Sequence, residues 1–226
     1  MLKSALEVEV EVEVGASRVQ LLAQRAAYLP DHRWLLVADA HIGKAVSFRR
    51  WGVPVPEATT GDTLDRLSAL VADTGATHVV FLGDLLHSAR GRATATLAAF
   101  KHWRDEHAGL AMTLVRGNHD DRAGDPPADW GVACVDEPLR VGGLALAHHP
   151  NPVFGAYVLA GHLHPCAVVG GRAHDRLRLP CFHFGPQVGV LPAFGAFTGM
   201  HAVRAAPGDQ VFVSTGDAVR PLHSSP

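Results

Sequence analysis

Residues 114–121 read LVRGNHDD, an apolar run that stops at a glycine and is followed at once by polar side chains. Leu114 and Val115 are typical of the end of a β-strand. The cluster of Asn118, His119 and Asp120 fits three interpretations, which are a turn, a helix cap and part of a metal site. Partners elsewhere in the chain decide between them.

The same pattern, an apolar strand followed by ligand-type residues, occurs in four other segments. They are WLLVADAH at residues 34–41, HVVFLGDLLH at 78–87, LALAHH at 144–149 and YVLAGHLH at 157–164. In α/β proteins, ligands bind beyond the carboxyl ends of the strands. A turn or a solvated histidine explains each segment alone, but five segments in one chain predict one shared site.

The candidate metal ligands are carboxylates, imidazoles and one amide oxygen, without a thiolate. They are Asp39, His41, Asp84, His87, Asn118, His119, Asp120, His148, His149, His162 and His164. This donor set fits Mn²⁺, Fe²⁺ or Zn²⁺, of which we expect Mn²⁺. Because these candidates are too many for one ion, we expect two divalent metal ions about 3.5–4 Å apart, the arrangement that hydrolyses phosphate esters.

The order and kind of these motifs resemble the calcineurin-like metallophosphoesterase superfamily. The matching motifs span residues 39–164 and are Asp39-x-His41, Gly83-Asp84, Gly117-Asn118-His119-Asp120, His148 and Gly161-His162-Leu163-His164. The resemblance implies a first metal ion on Asp39, His41, Asp84 and His164. It implies a second ion on Asn118, His148 and His162, with Asp84 bridging the two and with His149 as the alternative to the adjacent His148. A hydroxide held by the metals would attack phosphorus, and His119 would protonate the leaving oxygen.

Two further residues near these motifs are candidates for binding the substrate. The protein phosphatases of the superfamily carry a second Asp three residues after the bridging one, but this chain has His87 there. This departure argues against a phosphoserine phosphatase and leaves the residue that orients His119 unassigned. His87 either contacts phosphate at the rim or has a structural role. Arg116 either clamps a phosphate oxygen or pairs with a nearby acid such as Asp121.

The flanking sequence resembles a narrower group, the DNA-ligase-associated branch of the superfamily (PdeM). The resemblance rests on residues 41–60, HIGKAVSFRRWGVPVPEATT, and residues 176–200, RLRLPCFHFGPQVGVLPAFGAFTGM, and it covers nearly the whole chain. Members of this branch are described as DNA damage response endonucleases encoded near an ATP-dependent DNA ligase, a helicase and an exonuclease. The resemblance implies a phosphodiesterase acting on single-stranded or branched DNA in repair, with the ligase and helicase as candidate partners.

Residues 43–61 alternate basic and aromatic side chains, and we expect a long functional loop there. The basic residues are Lys44, Arg49 and Arg50, and the aromatic ones are Phe48 and Trp51. Single-stranded nucleic acids are bound by base stacking on aromatic rings and by basic contacts to the backbone. The alternative is that the aromatic rings anchor the loop to the core and the arginines are solvated.

The pattern of strands and helices predicts an α/β fold, a calcineurin-like metallophosphoesterase β-sandwich of two mixed sheets flanked by helices. Helices are expected at residues 62–74, capped by Asp62, and at 93–107, and short strands follow residue 155. We expect a single domain over residues 1–214 and a flexible C-terminal tail over 215–226.

Composition narrows the class of protein. The 226 residues have a formal net charge of −2, which does not indicate a nucleic-acid binder by itself. No apolar run approaches the roughly 18 residues of a membrane span, and we expect no membrane association. Three widely spaced cysteines and the lack of a leader pattern favour a cytoplasmic protein. The alternative functions are a phosphomonoesterase or small-nucleotide phosphodiesterase on the same fold and a metal-free docking scaffold.

Overall fold

The structure, a computed structural model, describes residues 10–44, 59–86, 93–118, 120, 124–170, 176–196 and 198–222. These residues form two β-sheets packed face to face, with helices against the outer face of the first sheet. The predicted α/β fold with two mixed sheets is confirmed.

The first sheet has seven strands in chain order. They are β1 Val10–Val14, β2 Ser17–Leu22, β3 Ala26–Leu29, β4 Trp34–Ala38, β5 His78–Leu82, β6 Ala111–Val115 and β7 Ala133–Val135. Strands β1 to β4 are antiparallel, and β4 to β7 are parallel. The carboxyl ends of β4, β5 and β6 therefore lie side by side at one edge of the sheet.

The second sheet has nine strands and also contains a parallel pair that matters for the site. Its strands are β8 Leu139–Val141, β9 Leu144–Leu146, β10 Tyr157–Ala160, β11 Pro165–Gly170, β12 Arg176–Phe184, β13 Val188–Val190, β14 His201–Ala202, β15 Gln210–Ser214 and β16 Val219–Pro221. Strands β9 and β10 are parallel neighbours, so their carboxyl ends also lie together.

Strands β4 to β6 of the first sheet are buried on both faces. Successive side chains of a strand point to opposite sides, so each strand contributes to two cores. Leu36 and Ala38 of β4 belong to the core between the two sheets. Leu35 and Val37 belong to a second core against the helices. The helices are α1 Thr59–Thr74 and α2 Thr94–Glu106, and a short 3₁₀ turn covers Ala128–Trp130. Strands buried on both faces read as continuous apolar runs, which is why they were recognisable in the sequence.

Three elements differ from what the sequence indicated. Helix α1 begins at Thr59, so Asp62 lies in its first turn and does not cap it. Strand β3 was not predicted, because its sequence AAYL has no alternation and all four side chains are buried. The expected flexible tail contributes strand β16, which pairs with β15 and buries Val219. A turn in which Thr215 and Ala218 exchange hydrogen bonds brings β16 back onto the sheet.

Candidate metal centre

The predicted ligands lie at the end of the sandwich where the parallel strands of both sheets terminate. Asp39 and His41 follow β4, Asp84 follows β5, and Asn118 follows β6. From the second sheet, His148 follows β9, and His162 and His164 follow β10. The loops after β4 and β5 are joined to each other, since the amide of His41 donates to the carbonyl of Asp84 over 2.8 Å.

Ligand-type atoms of the described residues form three clusters, of which the first two share Asp39 and the third combines His148, His149 and His162. In the first, ligand atoms of Asp39, His41 and His164 lie within 4.8 Å of one another. The second combines Asp39, Asp84 and His148 within the same distance. The two oxygens of Asp84 face different clusters, because Oδ2 is 3.8 Å from Nε2 of His41 and Oδ1 is 3.7 Å from Nε2 of His148. This is the geometry expected of a bridging carboxylate.

His162 and Asn118 lie on the second side of the centre, next to His148. Nδ1 of His162 is 3.0 Å from Nε2 of His148, and Oδ1 of Asn118 is 2.9 Å from the same nitrogen. Burial, together with the neighbouring rings of His148 and His149, lowers the pKa of His162. A neutral imidazole is the form that binds a metal ion.

Backbone carbonyls fix the tautomers of two histidines. Nδ1 of His148 donates to the carbonyl of Leu82 over 3.1 Å, and Nδ1 of His164 donates to the carbonyl of Gly199 over 3.0 Å. In a neutral ring the other nitrogen, Nε2, then carries the lone pair, and in both residues it points into the centre. A carbonyl that holds the far side of a histidine ring is the usual support of a metal ligand.

The residues fit a pair of divalent cations. Oδ1 of Asp39 is fully buried and has no hydrogen-bond partner among the described residues, while Oδ2 accepts from the amide of His162 over 2.8 Å. Nε2 of His41 and Nε2 of His164 face each other at 3.3 Å. Buried lone pairs that converge in this way are costly unless a cation lies between them.

Glycines precede the ligands because the ligand side chains lie against the backbone. A Cβ atom on Gly83 would be 2.0 Å from Nδ1 of His148, and one on Gly117 would be 2.7 Å from Oδ1 of Asp84. No side chain fits at either position, so the Gly-Asp and Gly-Asn pairs reflect close packing of ligands. They are not ordinary turn signals here.

Backbone strain is concentrated in the ligands. Eight described residues other than glycine have a positive φ, and five of them are the predicted ligands Asp39, His41, Asp84, His162 and His164. Such conformations persist only where the surrounding structure enforces them, and they cluster at functional sites. The strain and the ligand geometry therefore mark the same place.

Two acids that the sequence analysis did not assign support the ligand loops. Asp120 is buried and accepts hydrogen bonds from the amides of Asp84 at 2.7 Å, Gly117 at 2.9 Å and Leu85 at 3.1 Å. Burial raises the pKa of Asp120 to about 6, against the lowering effect of these amides. Its position directly after the Gly-Asn-His triplet was the one signal that could have identified it.

Glu137 supports the loop after β9. Its Oε2 accepts from the amides of His148 at 2.8 Å and His149 at 2.9 Å, and its Oε1 lies 2.7 Å from Nδ1 of His149. Burial opposes ionisation of Glu137, but the hydrogen bonds from His149 and His148 outweigh it and lower the pKa. His149 is thus held by Glu137, whereas His148 faces the ligands. Nothing in the sequence indicated a role for Glu137.

The predicted substrate-binding residues have mixed outcomes. Lys44 lies beside the centre, since its amide donates to the carbonyl of His41 over 3.0 Å. Burial lowers the pKa of Lys44, and the charges of Asp39 and Asp84 act in the opposite direction. Arg116 is held by acids of its own chain, with 2.8 Å contacts to both oxygens of Asp125 and a 2.8 Å contact to Asp136. Of the two roles expected for Arg116, the ion pair is the one that the described residues show, with Asp125 and Asp136 as its partners.

Several other predictions fall on residues outside the described parts of the chain. These are the catalytic role of His119, the substrate-binding roles of Arg49, Arg50 and His87, and the aromatic residues Phe48 and Trp51. The alternative partner of Arg116, Asp121, also lies there.

The crystal structure of nuclease MPE from Pseudomonas putida is similar to this chain over nearly the full length of both proteins. The two sequences are 43% identical, and the match covers 95% of this chain and 100% of the other, with a TM-score of 0.85. This chain belongs to the metallophosphoesterase family, in its ligase-associated nuclease branch. The resemblance noted in the sequence is thereby confirmed.

The remaining comparisons add little to the assignment of this metallophosphoesterase. The phosphoesterase Yfce from E. coli is 16% identical, with a TM-score of 0.43 over 82% of this chain and 95% of the other. No protein-family model matches the chain, and no curated protein matches it. No helix among the described residues is long and apolar enough to cross a membrane. The metallophosphoesterase is a metal-dependent hydrolase of phosphate esters.

Proposed function

We propose that this metallophosphoesterase is a two-metal DNA endonuclease that hydrolyses phosphodiester bonds in single-stranded or branched DNA during repair. The observation that carries the proposal is the convergence of carboxylate, imidazole and amide ligands from five loops into adjoining clusters. The proposal is supported by the similar Pseudomonas putida protein, which is a nuclease.

Within this proposal, Asp39, His41, Asp84 and His164 hold one divalent ion, and Asp84, Asn118, His148 and His162 hold the other. The oxygen and nitrogen donors suit Mn²⁺ as the native metal. When bound, the two ions supply an activated water and neutralise charge on the phosphate.

The chain's own residues position the substrate and move the proton. The carbonyls of Leu82 and Gly199 keep the rings of His148 and His164 in the ligating tautomer. Lys44 stabilises the negative charge of the phosphate from beside Asp39 and Asp84. His119, placed by resemblance, donates a proton to the leaving oxygen. Arg49, Arg50 and His87 remain proposed contacts of the DNA.

The cellular setting follows from the family resemblance. We propose that the enzyme acts in the cytoplasm together with the ATP-dependent DNA ligase and the helicase of its branch. The three cysteines support a reducing compartment, since Cys134, Cys166 and Cys181 are all free.

The test measures hydrolysis of two diesters by purified protein loaded with Mn²⁺, with the metal content verified by elemental analysis. We expect hydrolysis of bis-p-nitrophenyl phosphate and nicking of circular single-stranded DNA. Asp84→Asn should abolish both activities, because it removes the bridging charge. Asp73→Asn, an exposed change on α1, is the matched control and should leave both intact.

Two outcomes would count against the proposal. Loaded protein that cleaves neither diester would refute it. A preference for p-nitrophenyl phosphate without nicking would replace it with a phosphomonoesterase on the same fold.

A further inference from the structure

Two arginines outside the metal centre lie in a groove that leads away from it. One cavity of about 290 Å³ is lined by His164, Pro165 and Met200 at the metal end and by Arg25 and Pro180 further out. A second cavity of about 260 Å³ shares Arg25 and Pro180 with the first and continues to Arg66. The groove therefore runs from the metal ligand His164 past Arg25 to Arg66.

The fold places Arg25 at the same sheet edge as the metal ligands. Arg25 lies in the turn between β2 and β3, and its amide donates to the carbonyl of Leu22. The antiparallel register pairs Ala27 of β3 with Leu36 of β4, so this turn lies at the end of β4 that leads into Asp39. The position of Arg25 relative to the ligands is thus set by strand pairing.

Arg66 is tied to the same strand end through Phe194. Its guanidinium carbon lies 4.0 Å from the centre of the Phe194 ring, and its Nη2 donates to the Phe194 carbonyl. The amide of Phe194 in turn donates to the carbonyl of Ala38 over 2.8 Å, one residue before Asp39. Arg66 is held rigidly with respect to the centre.

In the part of the chain that the structure describes, no carboxylate forms an ion pair with either arginine. Among the described residues, Arg25 makes no hydrogen bond or ion pair through its side chain, and Nε of Arg66 is buried without a partner. The described residues that line the two cavities include no acid. Burial and then the charge of Arg25 lower the pKa of Arg66 to about 10, and only Asp62 opposes this. Burial also lowers the pKa of Arg25.

Two neighbouring guanidiniums that are partly desolvated and repel each other are unfavourable unless an anion binds between them. Arg25 also has a φ of 68°, a left-handed conformation that a long side chain rarely adopts. A glycine or asparagine would fit this turn better, so packing within the turn does not explain the arginine. The paired, partly buried guanidiniums indicate a ligand with negative charge, and the strained backbone shows that the turn itself does not favour an arginine at this position.

We propose that Arg25 and Arg66 form a phosphate-binding subsite for the nucleic-acid strand on one side of the scissile bond. The inference rests on the proposed nuclease function and names the residues that hold the strand beyond the metals. Arginine suits this role because its planar fork binds two phosphate oxygens at once. The apolar and hydroxyl side chains of the groove, such as Pro165 and Thr198, leave room for the sugar and base.

The test compares Arg25→Gln with Arg18→Gln, which removes the same charge from an exposed arginine paired with Asp31. For Arg25→Gln, the ratio of kcat/KM for a 20-nucleotide strand to that for bis-p-nitrophenyl phosphate should fall about tenfold, since a charge-assisted phosphate contact is lost. Arg18→Gln should leave the ratio unchanged. Arg25→Gly gives a second variant whose backbone accepts the positive φ, so it should fold and show the same loss.

A binding measurement separates this proposal from the proposed function. In protein that also carries Asp84→Asn, fluorescence anisotropy reports affinity for single-stranded DNA without cleavage. Arg25→Gln should reduce the salt slope of log K by about 0.7, the value for one phosphate contact on a single strand. Affinity and slope equal to those of Arg18→Gln would overturn the subsite, as would a lack of DNA binding by the parent. If DNA binding depended on Arg25 but the metal-loaded enzyme hydrolysed no diester, the nuclease function would be refuted and the subsite would stand.

Discussion

The substitution Gly117→Ala tests whether the ligands are packed as tightly as the structure indicates. The added methyl carbon would lie 2.7 Å from Oδ1 of Asp84 and 2.8 Å from Cγ of His148. Nonbonded carbon atoms rest at about 3.5 Å or more, so both ligands must move by roughly 0.7 Å. Gly117 has no positive φ, so the perturbation is purely steric.

A displacement of this size should reduce both catalysis and metal binding. Misplacing catalytic groups by about 1 Å costs on the order of 100-fold in rate, and we expect that loss for bis-p-nitrophenyl phosphate. Metal affinity should fall about 10- to 100-fold, as it does when the supports of ligands are disturbed. Overpacking should lower the free energy of unfolding by about 1–3 kcal/mol. Elemental analysis after dialysis, Mn²⁺ titration and chemical denaturation measure these effects.

Gly109→Ala is the matched control, because a Cβ at Gly109 meets no atom within 4 Å. It should retain its metal, activity and stability. If Gly117→Ala matched Gly109→Ala in metal content and rate, the added methyl group would not displace the ligands, and the reasoning from close packing would be refuted.

Three other predictions follow from single contacts. Glu137→Gln should weaken Mn²⁺ binding about 10-fold, because the carboxylate that holds two histidine amides is weakened, and Mn²⁺ titration measures this. Phe100→Ala removes a fully buried ring and should cost about 3–5 kcal/mol in urea denaturation, whereas Phe154→Ala, at a ring that is 98% exposed, should change stability by less than about 0.5 kcal/mol. Hydrogen bonds from the Ala206 amide and from His183 lower the pKa of Asp209. The ionised carboxylate therefore stabilises the fold at pH values above the usual pKa of Asp, and this contribution is lost as the pH falls. The Tm difference between the parent and Asp209→Asn should therefore shrink on acidification, and a constant difference would contradict the ion pair.

The strands that carry the ligands could be predicted because their sequences leave little choice. Residues 34–38, 78–82 and 111–115 are apolar on both faces, and each ends at polar ligand residues. Strand β3 could not be predicted in this way, since Ala26 and Ala27 have low strand propensity and the segment is a strand only because β2 and β4 pair with it. The start of α1 was placed three residues late for a similar reason, because Thr59, Thr60 and Gly61 are weak helix formers.

The sequence identified ligands better than it identified the residues that hold them. A ligand can be recognised by its residue type and by its place after a strand. Glu137 cannot, because it binds the amide of His148, 11 residues further along the chain. Arg25 cannot either, because only the pairing of β3 with β4 brings it near the ligands. Arg116 could not be decided from the sequence. Its neighbourhood in the chain allowed a phosphate contact or an ion pair with a nearby acid, and in the fold it contacts Asp125 and Asp136.

The convergence of buried lone pairs on a strained backbone explains why metal binding should stabilise the fold of this family member. A left-handed conformation costs about 1–2 kcal/mol for a residue with a side chain, somewhat less for Asp, and five ligands adopt it. Three of them, Asp39, His41 and His164, also place lone pairs against one another at the buried end of the sandwich. Both penalties are present before a cation binds, and only the repulsion between the lone pairs is removed when it does. A centre built in this way is preorganised, because the fold holds the ligands in place while the metal-free form bears the cost.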